Sequence, residues 1–255
     1  MKIVPQSATL LHITPDAAKL MEEAGRTCYQ TSWAVKPNSA AGFVKMIFNR
    51  GHHTILEHAT ATFRVVCSRG VSHEFVRHRL MVYSQESTRF CNYAGDRFGN
   101  EIKVVIPPFE NHEDEDDFLL VCKTAEAAYL RMIERKCPPE FARGCLPTDL
   151  KTEFVVTANL REWCLFLRQR YYGLTGKPHP MMKEISTLIR QALMEKAPEV
   201  FTLLDNEAKK ISLAEKLVAL VKDLRDKYRA DPLWPRGKTL DNLAAIYDEY
   251  EETTR

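Results

Sequence analysis

No apolar run in this 255-residue sequence approaches the roughly 18–20 residues that a membrane span needs. The longest, such as Leu217-Val218-Ala219-Leu220-Val221, is about five residues. The opening Met1-Lys2-Ile3-Val4-Pro5-Gln6 lacks the apolar core of a secretion signal. Neither sign of charge dominates. The 36 Lys and Arg against 34 Asp and Glu leave +2, which excludes a strongly basic nucleic-acid coat or an acidic disordered tail as a description of the whole chain. Ten Gly and 13 Pro are too few for low complexity. The seven Cys are odd in number and lack C-x-x-C spacing, so they read as small buried hydrophobes in a reducing compartment. The expectation is a cytoplasmic protein with no membrane partner and no metal.

Two further absences narrow the chemistry. His53-x-x-x-Glu57-His58 is one residue too long for the inverted zinc-protease pattern, and there is no His-Glu-x-x-His. There is also no G-x-x-x-x-G-K and no G-x-G-x-x-G. Any phosphate bound here must therefore be held by Arg and Ser side chains.

What is present reads as helices mixed with a few antiparallel strands, an α+β (mixed α/β) fold. Thr14 as N-cap with Pro15 at the first helical position predicts a helix over 15–30. A second is expected over 39–49, stopping before Gly51. Residues 59–67 alternate, with Ala61, Phe63, Val65 and Cys67 on one face, and predict a strand. A short helix is expected from Val71 to Arg79, then an irregular polar stretch from Ser84 to Gly99. A strand is expected at Lys103 to Ile106. Glu110 to Asp117, six acids in eight residues, reads as a solvated loop running into a helix over 119–134. A long helix is expected from Asp149 to Gln169 with Thr148 as N-cap, and another over 181–196 closed by Pro198. Residues 206–255 read as a helical C-terminal extension on a main domain of 1–205. In the extension Leu213, Leu217, Leu220, Leu224 and Tyr228 recur at helical spacing, and a short helix follows the turn from Asp231 to Arg236.

The densest polar cluster is Arg77-His78-Arg79-Leu80-Met81-Val82-Tyr83-Ser84-Gln85-Glu86-Ser87-Thr88-Arg89. Guanidinium groups stay charged and present a rigid donor fork suited to phosphate. Hydroxyls and loop N–H groups complete such an anion cradle. Arg143 lies just before Cys145-Leu146-Pro147. On the expected long helix, Asn159 and Arg170 are eleven residues apart and share a face, while Arg161 points elsewhere. A nucleic-acid reading of the cluster is weaker, since only Tyr83, Phe90 and Tyr93 lie near it.

Arg77-His78-Arg79, seven residues, Ser87, then Arg89 and an aromatic resembles the signature of the flavin-dependent thymidylate synthases. Gly51-His52-x-Thr54-x-x-Glu57-His58, Arg143-x-x-Leu146-Pro147, Asn159-x-Arg161 with Arg170, and His179 with Glu184-Ile185 resemble further family segments, in order, over about 8–205. The resemblance implies a homotetramer with sites between subunits. It implies conversion of dUMP to dTMP, with methylenetetrahydrofolate as one-carbon donor and FAD reduced by NADPH. By position, Thr54, Arg77, His78, Arg79, Gln85, Asn159 and Arg161 would contact FAD. Glu74, Arg77, Gln85, Glu86, Ser87, Thr88, Arg89, Arg143 and Arg170 would contact dUMP. Arg170, as the catalytic residue, would favour the N3-ionised uracil. His52 and Phe90 would lie on the folate and nicotinamide side.

The chain departs from the family at Glu74, often Gln, and at Phe90, usually Tyr. Glu74 is expected to face Arg89 or to be protonated. Tyr171 to Pro178 lengthens a loop by the site. No Cys stands in a Pro-Cys-Gln context, and Ser87 has no evident base, so it reads as a hydrogen-bonding ligand. The alternative is a non-catalytic or degenerate nucleotide- or flavin-binding protein.

Overall fold

The computed structural model describes residues 1–228. The elements run β1 (Lys2–Ile3), β2 (Ser7–Ile13), α1 (Ala17–Thr27), α2 (Ser39–Asn49), β3 (Thr60–Ser68), α3 (Arg69–Phe75), β4 (Val82–Gln85), β5 (Lys103–Val104), α4 (His112–Glu134), α5 (Pro139–Ala142), β6 (Lys151–Asn159), α6 (Leu160–Arg170), α7 (Pro180–Lys196) and α8 (Pro198–Tyr228). A 3-10 segment, His53–His58, precedes β3. The mixed helix-and-sheet class is as expected. The short helix expected after Asp231 lies outside the described residues. The chain divides into two compact units, Met1–Leu203 and Leu204–Arg255, and the candidate site belongs to the first.

An antiparallel sheet of order β2-β3-β6-β4 organises that unit, and β1 pairs with β5 in a separate parallel pair. Strand β3 forms as its alternation dictates, with Ala61, Phe63, Val65 and Cys67 buried and intervening Arg64 exposed. Phe63 faces Val156 of β6 and packs edge-on against Trp163. Phe75, Phe154 and Phe166 complete this aromatic core. Each such buried ring is worth about 1.5–3 kcal/mol of apolar burial. A second core of Tyr93, Ile102, Val104, Cys122, Tyr129, Ala142 and Leu150 lies under α4.

Several expectations are corrected. The single long helix over 149–169 is a strand followed by a helix. Lys151–Asn159 buries every second residue (Thr152, Phe154, Val156, Ala158), and β-branched Thr152, Val155, Val156 and Thr157 favour the pleat over the helix. Asn159 is therefore not within a helix but caps one. Its Oδ1 accepts the Glu162 N–H at 2.8 Å, and α6 ends at Arg170. Thr14 does not cap α1. Its hydroxyl accepts the Thr60 N–H (2.9 Å), and the helix starts at Ala17 behind Asp16. The acidic stretch is helical from His112, because Asn111 caps α4 by accepting the Asp114 N–H at 2.7 Å. Ser84 and Gln85, at the start of the expected irregular stretch, belong to an edge strand, Val82–Gln85. Pro198 opens α8 after α7 ends at Lys196. The helix expected over 71–79 spans Arg69–Phe75, so the Arg77-His78-Arg79 triplet lies in the turn after it.

Among the described residues no helix is long and apolar enough to cross a membrane, and no cluster of three or more His, Cys, Asp or Glu could hold a metal. All seven cysteines are free thiols.

Candidate active site

Helix α3 is the spine of the site. Ser68 ends β3 and caps α3 by accepting the Val71 N–H (3.2 Å). At the other end Phe75 is drawn into the core, stacked on Phe166 at 4.9 Å. The chain then turns, and the Tyr83 hydroxyl donates to the Phe75 carbonyl (2.5 Å), with the His78 carbonyl 3.2 Å away. This ties β4 to the turn. In the turn His78 points inward, 4% exposed, while Arg77 and Arg79 stand in solvent on either side. Among the described residues neither arginine side chain has a hydrogen-bonding or ionic partner.

Arg170, at the last position of α6, is held from α3 and the turn. Its Nε donates to His78 Nε2 (3.3 Å), its Nη1 to Glu74 Oε2 (2.8 Å), and its Nη2 to the Glu74 carbonyl (3.4 Å). Behind it His78 Nδ1 lies 3.5 Å from Glu162 Oε1. Burial, and then the Arg170 cation, pushes His78 down to about 4. Burial pushes the Glu162 carboxyl up, with Arg161 opposing. Glu74 thus faces Arg170 and not Arg89, which corrects the expectation. Arg89 turns to Glu140 (3.6 Å), with its guanidinium over the Phe90 ring.

The segment after β4 forms a second cluster. Gln85 points into the sheet, where its amide donates to Ser72 Oγ (2.9 Å) and Thr152 Oγ1 (3.1 Å). The Glu86 carboxylate is fixed by Tyr93 Oη (2.7 Å) and Lys151 Nζ (2.9 Å). Ser87 Oγ accepts the Arg89 N–H at 3.3 Å. Thr88 is buried and accepts from Arg143 Nη1 at 3.2 Å. Thr88, Arg143, Arg69 and His73 line a pocket of about 300 Å³ that also includes Gly144 and Thr148. Among the described residues no carboxylate lines it.

The third cluster lies on the 3-10 segment. Arg161 Nη1 donates to Glu57 Oε1 at 2.5 Å. His52 and Thr54 line a pocket of about 640 Å³ between α1 and α2, with Arg26, Arg50 and Phe43. The two helices touch closely there. A Cβ at Gly25 would meet Phe43 ring carbons at 2.5 and 2.6 Å, so any side chain there would displace the Phe43 ring.

The structure therefore brings Glu74, His78 and Arg170 together, Thr88 with Arg143, and His52 with Thr54. Asn159, at the start of α6, is spent on its cap and does not share a helix face with Arg170. Phe90 stands 81% exposed. Sequence reasoning missed Glu162, Arg69 and His73. For the last two a signal existed. They are four residues apart, one turn of a helix, so they share a face. Glu162 carried none, because only the fold brings residue 162 to residue 78.

The family model described as "Thymidylate synthase complementing protein" (Thy1) matches residues 9–199. A flavin-dependent thymidylate synthase of Corynebacterium diphtheriae is 32% identical over 209 residues, 73% of this chain and 79% of that protein. One from Mycobacterium avium is 35% identical over 173 residues, 59% of this chain and 66% of that protein. Among solved structures, a UMP/dUMP methylase, PolB, from Streptomyces cacaoi, bound with 5-Br dUMP, superposes with a TM-score of 0.67 at 17% identity. The match covers 79% of this chain and 96% of that one, a likeness of fold. With a family match that runs from within β2 to the first residues of α8, the chain belongs to the Thy1 family of flavin-dependent thymidylate synthases.

Proposed function

We propose that this chain is a thymidylate synthase that reductively methylates dUMP to dTMP, with methylenetetrahydrofolate as one-carbon donor and FAD reduced by NADPH. The observation that carries this reading is the carboxylate-free pocket of about 300 Å³ where Thr88 and Arg143 meet Arg69 and His73. A pocket of that size and charge suits a nucleotide phosphate. Arg143 and Arg89 would neutralise the phosphate, Thr88 and Ser87 would fix it by hydrogen bonds, and Arg170 would meet the uracil ring and favour its N3-ionised form. Among the described residues no His or carboxylate is hydrogen-bonded to the Ser87 hydroxyl, which suits a binding role and a reaction without a protein nucleophile.

The residues present fit a flavin dinucleotide. Arg77 and Arg79 are exposed cations without side-chain partners among the described residues, as a pyrophosphate would need. His52 and Thr54 border an apolar pocket with an aromatic wall. When bound, the flavin supplies the electrons of the reduction. His78 is buried between them, so Arg77 and Arg79 would supply the exposed charge of that contact. The family homotetramer with sites between subunits is supported by exposed Val76, Leu80, Val82 and Phe90 beside the site. A cytoplasmic location accords with seven free thiols. The extension expected over 206–255 is helical as far as Tyr228, and its remainder lies outside the described residues.

The test is direct. Purified protein should be yellow with FAD and should convert dUMP to dTMP when given NADPH and methylenetetrahydrofolate. A colourless preparation that takes up no FAD and gives no product would end the reading. A second reading, a degenerate member that binds but does not turn over, is favoured by one observation. The Glu74 carboxylate occupies part of the Arg170 fork. Flavin and dUMP binding without product would select it.

A further inference from the structure

We infer that His78 and Glu162 are positioning residues that orient the Arg170 guanidinium for substrate. The role rests on the dUMP reading above, in which Arg170 meets the uracil ring.

A guanidinium has five N–H donors and cannot accept. The contact from Arg170 Nε to His78 Nε2, at 3.3 Å, therefore requires a lone pair on Nε2. The imidazole proton must then sit on Nδ1, the nitrogen that faces the Glu162 carboxylate. One tautomer alone satisfies both neighbours. Protonation at Nε2 would set two cations against each other and break the contact. The ring is clamped mechanically as well, edge-on to Phe166 at 5.1 Å. Glu162 is itself fixed, being 4% exposed in the first turn of α6, where its N–H is capped by Asn159.

Three of the five Arg170 donors are thereby engaged, one on each nitrogen. Among the described residues one N–H on Nη1 and one on Nη2 remain without a partner. One donor on each terminal nitrogen is thereby left for substrate, and a planar guanidinium suits the acceptors of a pyrimidine edge. Glu74 engages the two terminal nitrogens, Nη1 through its carboxylate and Nη2 through its main-chain carbonyl. The bond to Nε, from a buried ring, fixes the base of the fork. A donor held in place before substrate arrives contributes more to the transition state than one that must be ordered.

The test uses the full-length flavoprotein and four variants. His78→Leu removes the acceptor, and His78→Gln keeps an acceptor that can reach Arg170. Glu162→Gln removes the charge that faces Nδ1, and Arg170→Ala is the reference. The expected results are a fall in kcat of about a hundredfold for His78→Leu with flavin content retained, and recovery to within about tenfold of wild type in His78→Gln. The ultraviolet difference spectrum of bound dUMP, which reports N3 ionisation, should weaken in His78→Leu and return in His78→Gln. The double variant His78→Leu/Arg170→Ala should be no slower than Arg170→Ala alone, because both act through one group.

Additive losses in the double variant, or flavin lost in proportion to turnover, would overturn the inference. If His78→Leu does not fold, Glu162→Gln decides. A lowered kcat with a weakened dUMP signal supports the positioning role, and wild-type values overturn it. An Arg170→Ala protein with wild-type turnover would instead sink the underlying reading of Arg170. A dead Arg170→Ala beside a fully active His78→Leu would sink the positioning role alone.

Discussion

His78 is the residue whose environment is most demanding. Its ring is held neutral at about 4, well below the ordinary 6.5, by burial and by Arg170. The unfolded chain takes up a proton near 6.5, while the folded chain does not until about 4. Between those values the unfolded state binds more protons, so stability falls as pH falls through that window. The loss is on the order of 3 kcal/mol. The melting temperature of the wild type should therefore drop more steeply between pH 6.5 and 4 than that of His78→Gln, where nothing at position 78 titrates. Glu162, pushed up by burial, acts in the opposite sense. Its stabilisation is present at low pH and is lost as pH rises through its folded value, and it is common to both proteins. Parallel melting curves would mean that the ring is accessible in solution. Arg170→Ala should lower kcat by roughly 10²–10³-fold, the range for losing a donor aimed at developing charge, and change flavin absorbance little. An equal loss of both would make Arg170 a structural or flavin ligand.

At the scale of elements, the junction of β6 and α6 carries the most information. Asn159 ends the strand and caps the helix, and it stands where the family resemblance expects a flavin contact. Two roles on one side chain can be separated. Asn159→Asp keeps an oxygen to accept the Glu162 N–H, so the melting temperature should hold to within a few degrees. It adds a negative charge that should weaken retention of an anionic flavin about tenfold or more. Asn159→Ala should lose both, with about 1 kcal/mol of stability gone by denaturant titration. Unchanged flavin affinity in Asn159→Asp would leave Asn159 with the cap alone. The strand itself was legible once its alternation is weighed. The helix expected from Asp149 to Gln169 behind a Thr148 cap overlooks that Lys151 and Glu153 are the more exposed positions of a strand whose alternate residues are core.

For the whole molecule, the apolar surface is the point of interest. Val76 is 42% exposed, Leu80 74% and Val82 70%, all within seven residues and beside an open edge strand. Surface of this kind next to a site marks a contact with another chain. Light scattering should find four chains per particle. Val82→Lys should shift that to smaller species and lower bound flavin in step, since the sites are proposed to lie between subunits. A monomeric wild type that binds flavin fully would contradict the shared-site arrangement.

The sequence by itself determined the alternating strand β3, the helix stop at Gly51, the absence of a Gly-rich phosphate loop and the ordered set of motifs that identifies the family. These are local periodicities, or fixed spacings along the chain, and they survive without the third dimension. It also showed the Arg77 to Arg89 segment as the densest polar cluster of the chain. Only the tertiary structure decided which way each side chain faces: His78 inward between two exposed arginines, Glu74 onto Arg170 instead of Arg89, and Glu162 behind the imidazole. Those pairings join positions 84 to 96 residues apart. They exist because the fold sets α6, from Glu162 to Arg170, beside α3 and the turn that follows it, and a long-range contact leaves no period in the sequence to read.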